Sequence, residues 1–120
     1  KKARKIEEGF RQFYATTEWH RWSALFPFCL TDGALYVAEE CEAYWLMDLI
    51  ASYQFEPKFK RSLSQVWRLT VVGNKGTVVA TDRDSNQHLA TQEIPYTDFP
   101  LNEIELWWGG DGAICLPSEN

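Results

Sequence analysis

The sequence predicts an α+β fold, with N-terminal helices packed on one face of a C-terminal antiparallel sheet of about four to five strands. Three observations predict it. Over residues 4–14, and again from Leu35 to Tyr53, apolar residues recur at helical spacing. From Gln65 onward the period becomes two. Clusters of Gly, Asn and Asp at 73–76, 82–86 and 109–112 then cut the second half into strand-length pieces.

Taken in order, residues 4–14 place Ile6, Phe10, Phe13 and Tyr14 along one side of an amphipathic helix, despite Gly9. Thr16 or Thr17 can cap a turn ahead of the cluster Trp19, His20 and Trp22. Leu25–Leu30 is an apolar run interrupted by Pro27; it reads as an edge strand or an extended connection, because proline cannot donate to a ladder. Thr31 or Asp32 then offers a side-chain oxygen to the first N–H groups of a new helix. The apolar residues from Leu35 to Tyr53, among them Tyr44, Trp45, Met47 and Ile50, cover more than one stripe. Residues 33–55 should therefore be largely enclosed, as one helix or as two with a break near Cys41-Glu42. Pro57 marks the stop.

Gln65–Val72 alternates, with Trp67, Leu69 and Val71 on one face and Arg68 and Thr70 on the other. Gly73-Asn74-Lys75-Gly76 turns the chain into a second strand, Thr77–Asp82. A third strand falls near His88–Tyr96, and Asp98-Phe99-Pro100-Leu101 makes a corner. Glu103–Trp108 and Ala113–Leu116 form the last pair, around the hairpin turn Gly109-Gly110-Asp111-Gly112.

A chain of 120 residues suits a single domain, 1–120, large enough to bury a core without staples. Six Trp, five Tyr and seven Phe are a heavy aromatic load, so some rings should lie at the surface or in a groove. The net charge of -5 argues against a duplex nucleic-acid partner, which requires a basic face. The basic clusters Lys1, Lys2, Arg4, Lys5 and Lys58, Lys60, Arg61 read as a frayed terminus and a solvated turn. Three cysteines, Cys29, Cys41 and Cys115, form no C-x-x-C pair and sit in apolar settings, as reduced thiols of a cytoplasmic protein do. The basic start leads into Ile6-Glu7-Glu8 rather than an apolar run, so no signal peptide is expected. No stretch approaches the ~18 apolar residues of a membrane span, and no membrane partner is expected.

The words T-D-G at 31–33, A-E at 38–39, A-Y-W-L-x-D at 43–48, D-F-P-L at 98–101 and L-P-S-E at 116–119 together resemble a small bacterial family. That family is defined only as a domain of unknown function, and its members also occur on plasmids and phages. The resemblance spans nearly the whole chain. It implies a single-domain bacterial protein with no assigned activity, and it carries no site residue over to these positions. Family members often have glycine near position 42, where this chain has Glu42.

Little in the sequence carries chemistry. His20 and His88 stand alone, with no H-x-H or H-E-x-x-H, so no metal site and no cofactor is expected. There is no G-x-S-x-G elbow and no phosphate-binding loop. Among the carboxylates, Asp32 reads as a helix cap, Glu39 as a helix-surface residue, and Glu103 and Glu105 as the wet side of a strand. Asp48 stands between Met47 and Leu49 in an apolar helix, where a carboxylate needs a partner such as Arg68 or a Trp N–H. Alternation along Glu103–Trp108 puts Ile104, Leu106 and Trp108 on one face and Trp107 on the other, with Glu103 and Glu105. A Trp on the wet side of a strand suits an interface anchor.

The expectation is a non-catalytic cytoplasmic protein that binds a protein partner through Trp107, Glu103, Glu105, Trp19 and Trp22. In the mobile-element setting that the resemblance implies, it would block a host factor, its acidic face competing for a nucleic-acid channel. Two alternatives remain open: a small hydrolase using Asp48 with Asp32 or Glu39 and His20, and a structural homodimer joined along an edge strand or through the Trp107 face.

Overall fold

Buried and exposed side chains alternate along Gln65–Val72 (β3), and that alternation gives the sheet its two faces. The computed structural model describes residues 6, 9, 19–20, 28–109 and 112–119. β3 pairs antiparallel with Lys75–Asp82 (β4) on one side and Glu103–Gly109 (β6) on the other. A tight turn places Val72 opposite Lys75, with Gly73 in the left-handed region at φ +66°, where a residue with a Cβ would be strained. β4 continues to His88–Ile94 (β5), with a bulge at Ala80/Thr81. β6 pairs antiparallel with Ala113–Cys115 (β7).

Beyond β7 the sheet goes on. β7 pairs parallel with Cys29–Thr31 (β2), which pairs antiparallel with Trp19–His20 (β1). The order is β1-β2-β7-β6-β3-β4-β5, a mixed sheet of seven strands among the described residues. The expected antiparallel sheet of four or five strands is thus correct only for the segment after residue 64. The apolar run ending at Leu30 contributes an interior strand rather than an edge, and its part over 25–27 lies outside the described residues. A strand of three residues carries too little periodicity to be read from sequence.

Three helices follow β2: Asp32–Glu40 (α1), Tyr44–Tyr53 (α2) and Pro57–Lys60 (α3). α1 starts at Thr31, whose hydroxyl accepts from Ala34 N–H at 3.3 Å. The same hydroxyl donates to Glu119 Oε1 at 2.5 Å, and the Glu119 carboxylate also accepts from Gly33 N–H at 2.8 Å and Leu116 N–H at 2.9 Å. A Cβ on Gly33 would lie 2.5 Å from that carboxylate, so glycine is what admits it. The words T-D-G and L-P-S-E are therefore the two halves of one helix cap.

The break near Cys41-Glu42 is real: Glu42 adopts φ +52°, and two helices result. Enclosure is less complete than expected. Leu46, Met47, Ile50 and Ala51 are buried, but Tyr44, Asp48 and Ser52 form an exposed stripe at i, i+4, i+8. Pro57 does not merely end a helix; it opens α3 at the first position, where its missing N–H is no loss. Of the helix expected over 4–14, the described Ile6 is helical and 3% exposed within the core, and Gly9 is helical; the rest lies outside the described residues.

The core lies between the helices and one face of the sheet. Trp67 rings meet Tyr53 of α2 at 5.5 Å and Phe59 of α3 at 5.6 Å, while Leu69, Val78, Leu106, Ile104, Ile114 and Leu30 complete that face. Gln65, fully buried, exchanges hydrogen bonds with Gln54, the C-cap of α2, at 2.8 and 3.0 Å and accepts from Trp67 Nε1 at 2.9 Å.

Glu119→Ala should lower the unfolding free energy by about 1–2 kcal/mol, the usual worth of a lost cap and its charged hydrogen bonds. Gly33→Ala should act through the same carboxylate. Urea denaturation of both single variants and the double variant would then give a double loss smaller than the sum of the singles.

Candidate functional site

Trp107 lies on the face of the sheet opposite the helices, because it alternates with the buried Leu106 and Trp108. Its cross-strand neighbours there are Val66 and Cys115, both half-buried. Its indole N–H donates to Glu105 Oε2 at 2.8 Å, and the Arg83 guanidinium carbon stands 4.0 Å from the ring centroid. Glu105 also accepts from Arg68, directly opposite it on β3, in an ion pair whose arginine is half-exposed. Glu103, two residues earlier on the same face, is exposed. One half-buried ring is thus fixed at its edge by a carboxylate and over its face by a cation.

Trp19 begins β1, three strand spacings or about 14 Å from β6 at the usual ~4.8 Å per strand. Trp19 and Trp107 therefore sit on separate strands well apart, and Trp22 lies outside the described residues. Arg83 was missed in the sequence because it follows β4 in a polar turn, and only the return of β4 beside β3 brings it over Trp107.

The carboxylates of the hydrolase alternative are spread along the helices. Asp32 is the first residue of α1, Glu39 is exposed near its end, and Asp48 is exposed in the middle of α2. The enclosed setting expected for Asp48 is incorrect: its place in the exposed stripe of α2 spares it the desolvation penalty. Arg68, proposed as its partner, lies on the far face of the sheet with Glu105. His20 lies on β1. Among the described residues, no three His, Cys, Asp or Glu side chains gather as a metal would require.

Three of the hollows among the described residues lie on the helix side. One of about 530 Å³ at the α1–α2 junction is walled by Glu39, Glu40, Glu42, Tyr44 and Trp45. Burial and the neighbouring Glu39 carboxylate raise the Tyr44 hydroxyl above its ordinary pKa, so it stays a neutral donor. The other two flank α3. A polar hollow of about 320 Å³ lies beside Lys58, Arg61, Ser62, Asp82 and Gln87, and a smaller apolar one of about 180 Å³ beside Phe28, Phe59, Leu63 and Trp108. Asp82 accepts from Ser62 Oγ and, at 2.8 Å each, from the N–H and Oγ of Ser85. The Ser62 bond, then those from Ser85, hold its carboxyl below the ordinary carboxylate range.

Fold and site together define an α+β protein with a layer of helices on one side of a mixed sheet and a braced Trp on the other. The chain belongs to a family of unknown function, DUF6876, whose model matches residues 4–120. No curated protein and no solved structure matches it. No helix among the described residues is long and apolar enough to cross a membrane.

The depressed pKa of Asp82 has a definite sign. Its contribution to stability is fully present above the carboxyl's unfolded value, near 3.8, and is lost as the pH falls through the lower folded value. Asp82→Asn should remove that part of the acid limb, so that urea midpoints of variant and wild type converge once the pH has fallen below the lowered folded value. A constant gap between them at every pH would assign the effect to lost packing instead.

Proposed function

We propose that this chain is a non-catalytic cytoplasmic binding protein that acts on a protein partner, docked on the open face of its sheet with Trp107 as the anchor. The observation that carries this reading is the bracing of that one ring by Glu105 and Arg83 on the open face while it is only half-buried. A ring held in place before association loses little freedom on binding. Trp and Arg are also the residue types that dominate interface energies. Val66 and Cys115 supply an apolar surround, and the Arg68–Glu105 pair with Glu103 supplies a polar rim. A protein suits this face better than nucleic acid, since the net charge is -5, the Glu105 carboxylate holds the edge of the ring and Glu103 lies on the same face. The mobile-element setting implied by the resemblance suits a protein that occupies a host factor's nucleic-acid channel. Self-association is the second reading, because among the described residues β5 ends the sheet with a single strand neighbour.

Trp107→Ala should weaken partner binding at least about tenfold, roughly 1.4 kcal/mol. It should cost less folding stability than the ~3–5 kcal/mol of a buried Trp truncation. Affinity capture from extracts of the organism that encodes the chain, with wild-type and variant baits, tests this. Equal recovery of the same proteins by both baits would remove Trp107 as the anchor. Light scattering across micromolar concentrations decides the second reading: a mass at the monomer value throughout eliminates the homodimer.

A further inference from the structure

We propose that the two hollows flanking α3 form one docking site for a segment of another protein in which an apolar side chain stands close to an acidic one. The site lies on the helix side of the sheet, so it does not rest on the Trp107 reading.

The local sequence builds both halves. In the single turn of α3 and the residues after it, Phe59 points inward and is 2% exposed. Lys58 and Arg61, three residues apart, border the polar hollow, while Lys60 and Leu63, again three apart, border the apolar one. Ser62 lines both, so the two are adjacent. Lys58 Nζ donates to the Leu89 carbonyl at 2.9 Å, which fixes its charge at the lip of the polar side. Asp82 shares that hollow, but its oxygens are taken by Ser62 and Ser85. The ammonium and guanidinium groups therefore offer N–H donors to an incoming carboxylate.

The apolar hollow has a floor of Phe59 and Trp108, and Phe28 meets Trp108 edge-on at 4.7 Å. Its rim is unusually apolar. Of the five large hydrophobic side chains exposed among the described residues, Leu63 at 72% stands on this rim. Phe55, at 53%, stands 6.0 Å from Phe28. A volume near 180 Å³ is smaller than the ~300–1,000 Å³ of small-molecule sites and suits one side chain. Charge then selects the occupant. Lys58, Lys60 and Arg61 are a basic island on a chain of net charge -5, and they attract an acidic segment.

Panning a phage-displayed library of random peptides on the full chain tests the proposal. The expected peptides carry Asp or Glu within a few positions of Leu, Phe or Trp. A synthetic copy of the best peptide should lose at least about tenfold in affinity with Arg61→Glu and with Leu63→Asp, both at exposed positions, and nothing with Trp107→Ala. Unchanged thermal melting of the Arg61 and Leu63 variants would establish that the fold is retained. Enrichment of no peptide, enrichment of peptides without acidic residues, or equal binding by wild type and by both the Arg61 and Leu63 variants would overturn it. So would a concentration-dependent dimer broken by the same substitutions, which would give the site to a second copy of the chain.

Discussion

The hydrogen-bonded pair of amides, Gln54 and Gln65, is the constraint on which the rest of the arrangement depends. It lies where the last turn of α2 meets the first residue of β3, the strand between β4 and β6. Gln54 also donates to the Ile50 carbonyl at 3.0 Å, and Gln65 receives the Trp67 indole N–H. Each group left without its partner would cost about 1–3 kcal/mol in this dry setting. Among the described residues, no buried side-chain nitrogen or oxygen lacks a partner. A satisfied polar pair inside an apolar core permits one registry of helix on sheet where apolar contacts alone would tolerate several. The short segment between the two glutamines then has to loop outward as α3, with Phe59 inserted beside Trp67 and the basic residues left outside.

The second half of the chain was legible because its physics is local. Alternation named the faces of β3 and β6 correctly, and glycine at 73 and 112 sits at positive φ in the turns where it was expected. The first half was legible only in part. Thr31 was readable as a cap, since the residue type and its place before an apolar run suffice. Its second partner, Glu119, is 88 positions away, and no local pattern announces such a bond. Tyr44 and Asp48 were misjudged because an apolar average over α2 hid a narrow polar stripe. β1 and β2, of two and three residues, owe their strand character to a neighbour rather than to their own composition.

The candidate site divides in the same way. That Trp107, Glu103 and Glu105 share the open side of a strand follows from period two alone. That a cation covers the ring does not, because Arg83 reaches it from another strand's end. The basic residues at 58, 60 and 61 read as a solvated turn in sequence, and they are exposed. What the fold adds is the pair of hollows on either side of them, built from residues as distant as Phe28 and Trp108.

The parallel pairing of β2 with β7 has a consequence for how the molecule is made. β7 lies between β2 and β6, so the N-terminal strands have no connection to the main sheet until residues 113–115 exist. As the chain leaves the ribosome, the β3–β4–β5 meander can pair as soon as it emerges, whereas β1 and β2 must wait with their backbone edges open. Assembly of the sheet is therefore a late, long-range event, and ribosome-bound fragments ending before β7 expose the strand edges to which chaperones and other chains bind.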